Sequence, residues 1–306
     1  MIRKLLICAT VVTSSIATAQ ESTSSPYSFY GLGSLKFKGT VENKSMGGIS
    51  VYSDSIHINL RNPASYTGTN LALYNNEARP VKFALGTSFS STTIETSTAT
   101  DSYSNSAVDY LAVALPLNKF GLGFGVLPYS SVGYNLQSRN ENNDLQYRYR
   151  GEGGINRAFV GLGYQVSKNL KIGVDTQYNF GNISNTSIAF GYNDFGELLQ
   201  FQSREVNRSD LGGFSFNFGT IFNKKISNSI ELMFAASYSP EASIASKNQS
   251  EFSTIVIDSD QTEFIVDSSI VDLELDNLAE SSLILPSKTN FGIGIGKPRK
   301  WFVGVD

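Results

Sequence analysis

The sequence predicts an all-β fold, a transmembrane antiparallel β-barrel with an N-terminal plug inside its lumen, and three observations predict it. From Pro80 onward, large apolar residues alternate with small or polar ones at a period of two, the pattern of strands with two unlike faces. The chain opens on a leader built for secretion. After that leader no run approaches the ~20 apolar residues of a membrane helix, so a closed sheet is the remaining way to satisfy a backbone in lipid. Composition fits such a wall: 27 Gly, 20 Phe and 15 Tyr supply small and aromatic faces, and only 17% of residues are charged.

The first element, residues 1–19, reads as a signal peptide. Arg3 and Lys4 form its charged start, Leu5 to Val12 its apolar stretch, and Ala17-Thr18-Ala19 a small-residue cleavage site. The apolar stretch is too short to span a bilayer as a helix. Cleavage is expected near Ala19, and for an exported chain with a barrel wall the expected destination is the outer membrane of a Gram-negative cell. Residues 20–44 are irregular and lead into the most distinctive stretch, Ser45 to Thr69. There Gly47 and Gly48 allow backbone angles closed to other residues. In Asn62-Pro63-Ala64 the Asn is a good N-cap and the Pro a good first helical residue, so a short helical turn starts there and stops at Gly68. Residues 20–79 are therefore the N-terminal segment and plug, and residues 80–306 the barrel strands.

Met46-Gly47-Gly48, the following Asp54, and Asn62-Pro63-Ala64 just ahead of the first strand resemble the FadL-type family of outer-membrane hydrocarbon and fatty-acid transporters. That family includes the PorV-like barrels of the Bacteroidetes type IX secretion machinery. The resemblance implies a barrel of fourteen strands plugged by this segment, with Gly47, Gly48, Asp54, Asn62, Pro63 and Ala64 as plug and gate residues. About eight strands and the start of a ninth, opened by Trp301, are countable, and the chain stops at Val305-Asp306 in mid-strand. The reading is thus a C-terminally truncated, incomplete barrel.

The strands repeat one design. Phe120, Leu122, Phe124 and Val126 oppose Gly121, Gly123 and Gly125; Ile172, Val174 and Tyr178 oppose Lys171, Asp175, Gln177 and Asn179. Phe214, Phe216 and Phe218 oppose Ser215, Asn217 and Gly219. The second set in each case should face the lumen and the first the lipid. Connections at Asn118-Lys119, Ser167 to Asn169, Asn223 to Asn228 and Lys297 to Lys300 are tight, and those between are longer, as short periplasmic turns and long outer loops would be.

Little in the chain offers chemistry. Its one cysteine, Cys8, is in the leader, so disulfides and Cys-bound metals are excluded from the mature chain. A single histidine, His57, rules out multi-His zinc sites, and no nucleophile-elbow pattern accompanies it. No catalytic residue, metal site or cofactor is therefore expected, and the chain reads as a non-enzyme. A net charge of −3 without a basic patch argues against nucleic acid. The glycines of GLGFG (121–125) and GIGIGK (292–297) look like phosphate loops, but their even spacing puts them on one face of a strand. Arg157 shares a face with Phe159 and Gly161, so its guanidinium points into the lumen. It is a candidate for a ligand's carboxylate head group, or for pairing with Asp175 or Asp54. Residues 251–280 hold nine acidic side chains and no basic one, interleaved with Ile, Val and Leu, as an extended hairpin outside the membrane would.

Two functions are open at this point. The resemblance implies passive uptake of a hydrophobic molecule, a long-chain fatty acid, through a plugged barrel in contact with outer-membrane lipid. The alternative is a PorV-like barrel that escorts or anchors secreted proteins, with a secretion-machinery protein as partner. A continuous apolar cavity would favour the first, and a filled lumen with protruding outer elements the second.

Overall fold

The computed structural model describes residues 25–53, 56–68, 81–95, 100–227, 230–258, 260, 262–275, 277–297 and 300–306. The expected signal peptide and Asp54 lie outside the described residues. Among the described residues thirteen strands form one antiparallel sheet. They are β1 (Ser34–Leu35), β2 (Lys82–Glu95), β3 (Thr100–Leu117), β4 (Phe120–Arg139), β5 (Leu145–Gln165), β6 (Leu170–Ala189), β7 (Gln202–Lys225), β8 (Glu231–Ser239), β9 (Ala242–Ile257), β10 (Glu263–Ile270), β11 (Glu280–Leu285), β12 (Lys288–Lys297) and β13 (Trp301–Val305). Among the described residues only one short α-helix, α1 (Val41–Ser45), and 3₁₀ turns at Pro26–Phe29 and Pro63–Tyr66 accompany them.

Several strands are pieces of one pass. β8 and β9 run end to end beside β7, interrupted at Pro240-Glu241, because proline has no N–H to give the ladder. β11 and β12 return beside them with a matching break at Pro286-Ser287, and β10 extends the return beyond residues 271–279. Setting β1 aside, the described strands make eight long passes and a short ninth, β13. The sheet order runs β13-β12-β8-β7-β6-β5-β4-β3-β2, and the two edge strands do not pair with each other. The expected closed barrel is thus an open sheet, since β13 offers only 5 residues and these pair with β12.

Burial alternates along the strands as the period of two requires. Asp175, Gln177 and Asn179 are buried, whereas Ile172, Tyr178, Phe214, Phe216 and Phe218 are exposed on the other face. In the half nearer the tight turns the buried side faces the N-terminal segment and is called inner here, the other outer; the names follow parity along each strand. Toward the far tips it is outer-parity residues such as Ile188 and Ile255 that are buried. At the end of the sheet carrying the tight turns, the near end, outer residues form an apolar belt. On β5 it runs through Ala158, Val160, Leu162 and Tyr164, and further along the same strand the outer residues become Asn156, Glu152 and Arg150.

The change coincides with a line of irregular backbone across neighbouring strands. β4 shifts register between Pro128 and Ser130, and Ser130 aligns with Ile155, Gly181 and Leu211. Gly153 and Gly154, next to Ile155, hold φ of 111° and 146°. Bulges and glycines of this kind bend strands and re-aim side chains. Beyond the line β5, β6 and β7 continue; β7, with 24 residues, reaches about 79 Å at ~3.3 Å per residue. The expected long polar outer loops are therefore mostly paired strand. Only residues 190–201 form a long connection at the described part of that far end, because the alternation persists and lets backbone groups pair instead of looping.

One seam departs from simple meander order. β3 pairs with β4 only over Leu111–Leu117. Above it the N-terminal segment takes over as neighbour: β1 pairs with Ser130 and Ser131, Lys36 N donates to Tyr129 O at 2.9 Å, and Ser25 N to Gly133 O at 2.9 Å.

Candidate functional site

The residues singled out at 45–66 assemble as a compact segment against the inner face of the near half. α1 ends on Gly47 and Gly48, both left-handed (φ 76° and 82°), with Gly48 N donating to Asn43 O at 2.7 Å. Asn59 stitches the loop that follows. Its Nδ2 donates to Ser50 O (2.7 Å) and Tyr52 O (3.0 Å), and its Oδ1 accepts from Arg61 N. His57 is exposed, and its carbonyl accepts from Lys82 Nζ at 3.1 Å. Among the described residues, no three His, Cys, Asp or Glu side chains converge.

Asn62 does more than cap a turn. Its Oδ1 accepts from Ala64 N at 3.1 Å, the expected cap. Its Nδ2 donates to Thr220 O (3.1 Å) on β7 and Ala236 O (3.2 Å) on β8, tying the turn to two wall strands. The Pro63–Tyr66 turn meets β3, β4, β5, β6 and β7. It can approach so closely because those strands present glycines. A Cβ added at Gly121, Gly123, Gly161, Gly173 or Gly219 would collide with Asn62, Pro63, Ala64 or Tyr66. At Gly173 it would lie 2.5 Å from Ala64 N. In GLGFG, Gly121 thus seats the segment's backbone and Gly123 the Tyr66 ring, while Gly125 lies against Leu111, Ala112 and Phe159; the run is a packing surface rather than a phosphate loop. Ile58, Leu60 and Tyr66 join Tyr110, Leu127 and Phe159 in one core cluster, and Val51 and Ala64 join Ile221, Met233 and Ala235 in another. Beside the segment a small cavity lined by Thr40, Asn43, Tyr52, His57 and Asn59 has about 20 Å³, room for one water molecule rather than an acyl chain.

Arg157 sits on the inner face as its parity requires, 8% exposed. It does not pair with Asp175. Its Nε donates to Asn179 Oδ1 at 2.8 Å, and its guanidinium carbon lies 4.4 Å from the Tyr129 ring centroid. Asp175 instead meets Lys38 Nζ at 3.9 Å and accepts from Asn217 Nδ2 at 3.3 Å. Lys38 comes from the irregular N-terminal stretch, and no local pattern marked it as a partner. Burial pushes its ammonium down to about 8, with Asp175 opposing the shift and Arg157 adding to it. Tyr66 Oη, Gln177 Nε2 and Asp175 Oδ1 gather here without a hydrogen bond of normal geometry. Buried polar groups in a wall must find partners, and here most find one another.

An antiparallel sheet with an apolar outer belt, and a segment seated on its inner face, is the architecture of the β-barrel class of outer-membrane-related proteins. The chain belongs to the BamG family, whose model matches residues 1–306. No curated protein matches it. The family match is to BamG rather than to the FadL-type proteins that Gly47-Gly48 and Asn62-Pro63-Ala64 resemble.

Proposed function

We propose that this chain is a non-catalytic interaction protein of the outer membrane. Its near half sits in the bilayer, and its far half presents a protein-binding surface outside it. One observation carries the choice over transport: the segment at 45–66 is seated on glycines and bonded to two wall strands through Asn62, so it is held as a fixed part of the packing, which speaks against a loosely held gate. The outer apolar belt supports the placement. On β6 it extends over Leu170–Phe180, close to the ~9–11 residues a tilted strand needs to cross the hydrocarbon. Far-half strands that run on past the belt support a role outside the membrane. A secretion escort of the PorV kind is one form this role would take; the motif at 45–66 is shared by transporters and escorts and does not choose between them.

The second reading is uptake of a long-chain fatty acid. It is favoured by Arg157 and Lys38, cations on the inner face suited to a carboxylate head group. A disulfide separates the two. A Cβ at Gly163 would lie 2.8 Å from Thr67 Cγ2, and the only native cysteine is Cys8, so Thr67→Cys with Gly163→Cys would pin the segment. Fatty-acid uptake and planar-bilayer conductance are expected to be the same for the oxidised and reduced forms. Uptake that falls on oxidation and returns on reduction would overturn the interaction reading in favour of transport.

A further inference from the structure

We propose that the inner face of the far-half sheet is a docking trough for an extended, arginine-bearing segment of a partner protein; this rests on the interaction reading above. Register puts directly paired residues on one face. One row across five strands is Tyr147, Ala189, Ser203, Thr254 and Asp267, and the next is Tyr149, Ser187, Glu205, Phe252 and Ser269. Neither row contains a cation. The arginines of these strands, Arg148, Arg150, Arg204 and Arg208, have the opposite parity and lie on the outer face. There Arg148, Arg150 and Arg204 surround Glu263, and Arg204 also meets Glu251 at 3.9 Å. The sheet has sorted its charges between its faces, leaving the inner one acidic and aromatic.

The inner face is also shaped. Tyr147 stacks on Tyr149 at 5.9 Å, and Phe29 meets Tyr149 edge-on at 6.1 Å, so one side is an aromatic wall. Phe252 and Phe264, half exposed at 51% and 55%, make the other wall. Ser187, Ala189 and Ser203 form a floor of small side chains between them. Three strand spacings of ~4.8 Å set the walls about 14 Å apart, enough for one extended chain with its side chains. Aromatic faces bounded by carboxylates suit a guanidinium, which stacks on the ring and pairs with the acid. Asp267 is exposed, and Glu205 accepts from Asn207 Nδ2 at 2.7 Å with its other oxygen left to a ligand.

The test uses the full chain in detergent micelles with two fluorescein-labelled probes, a short peptide alternating Arg and Val and its Glu–Val counterpart, read by anisotropy. The Arg–Val peptide is expected to bind more tightly and to weaken with salt. Glu205→Gln, Asp267→Asn and Phe252→Ser, all at surface positions, are each expected to weaken it about tenfold. Arg208→Gln, on the outer face, is expected to leave it unchanged. Equal binding of both peptides, or indifference to the three inner-face variants, would overturn the trough. Calcium ions binding alone and displacing the peptide from wild type would overturn it in favour of a cation bridge to lipid. Circular dichroism confirms that each variant is folded. The Thr67–Gly163 disulfide reads only the near half, so failure here and failure of the interaction reading are told apart.

Discussion

The two halves of the sheet share strands but solve opposite problems. In the near half the wall has glycines inside and Phe, Val, Leu and Tyr outside, and a separate segment occupies the space those glycines leave. In the far half the outer parity of the same strands carries arginines and other polar side chains around the buried Ile188 and Ile255, and the inner parity carries aromatic or small side chains, several of them exposed. The alternation never stops; what changes is the meaning of each parity, and it changes at the line of bulge and glycines from Pro128 to Gly181. A strand's pattern therefore reports the surroundings of each stretch, and one strand can have two.

The comparison breaks first at the glycine seat. Gly173→Val puts a branched side chain where Ala64 N and the Pro63 carbonyl lie, and overpacking that backbone cannot yield to costs about 3 kcal/mol or more. Loss of the heat-modifiable folded band on a gel is expected. Gly212→Ala, whose Cβ would meet only Tyr178 Oη at 3.4 Å, should keep that band. Next is the belt. Val160→Arg on its outer face should cost about 2–4 kcal/mol in denaturant titrations in lipid, whereas Asn182→Arg, exposed beside Asp210 on the same face just beyond the bulge line, should cost under about 0.5. Equal costs would mean that the belt does not meet lipid.

Asn62→Ala then sharpens what holds the segment. A cap alone is worth about 0.5–2 kcal/mol; losing two further bonds to wall carbonyls should raise this to about 2–4. Pro63→Gly acts mainly through the freedom of the unfolded chain and should cost about 1 or less. A pH dependence completes the set. Because the folded-state value of Lys38 is depressed below its unfolded one, the unfolded chain holds the proton more firmly, and stability from this group should rise from about pH 8 toward 10. Lys38→Met should flatten that rise in unfolding midpoints measured across the window.

Much of this was legible in the chain because it is local. Period-two alternation located the strands, parity sent Asp175, Gln177 and Asn179 inward, and the residues at 62–68 spelled a short turn. What was illegible depends on which strands become neighbours. Asn62 read as a cap, but Thr220 and Ala236 are far along the chain, and nothing near Asn62 foretells them. Arg157 read as a candidate for a ligand's head group or as a partner for Asp175 or Asp54, yet Asn179, opposite it on β6, takes its bond and Lys38 meets the Asp175 carboxylate. The parting of β3 from β4 has no marker at Tyr110 either, since the N-terminal segment supplies the missing neighbour.

The glycine seat has a consequence for how the molecule is made. Side chains that would normally fill the inner space are absent from the wall, and backbone from residues 62–67 stands in for them. A wall so hollowed should not hold its shape alone, and the segment that precedes the long strands in the chain is expected to act as the mould around which they are cast. Strands expressed without residues 20–79 should stay unformed, and supplying those residues as a separate polypeptide during refolding should restore the folded band.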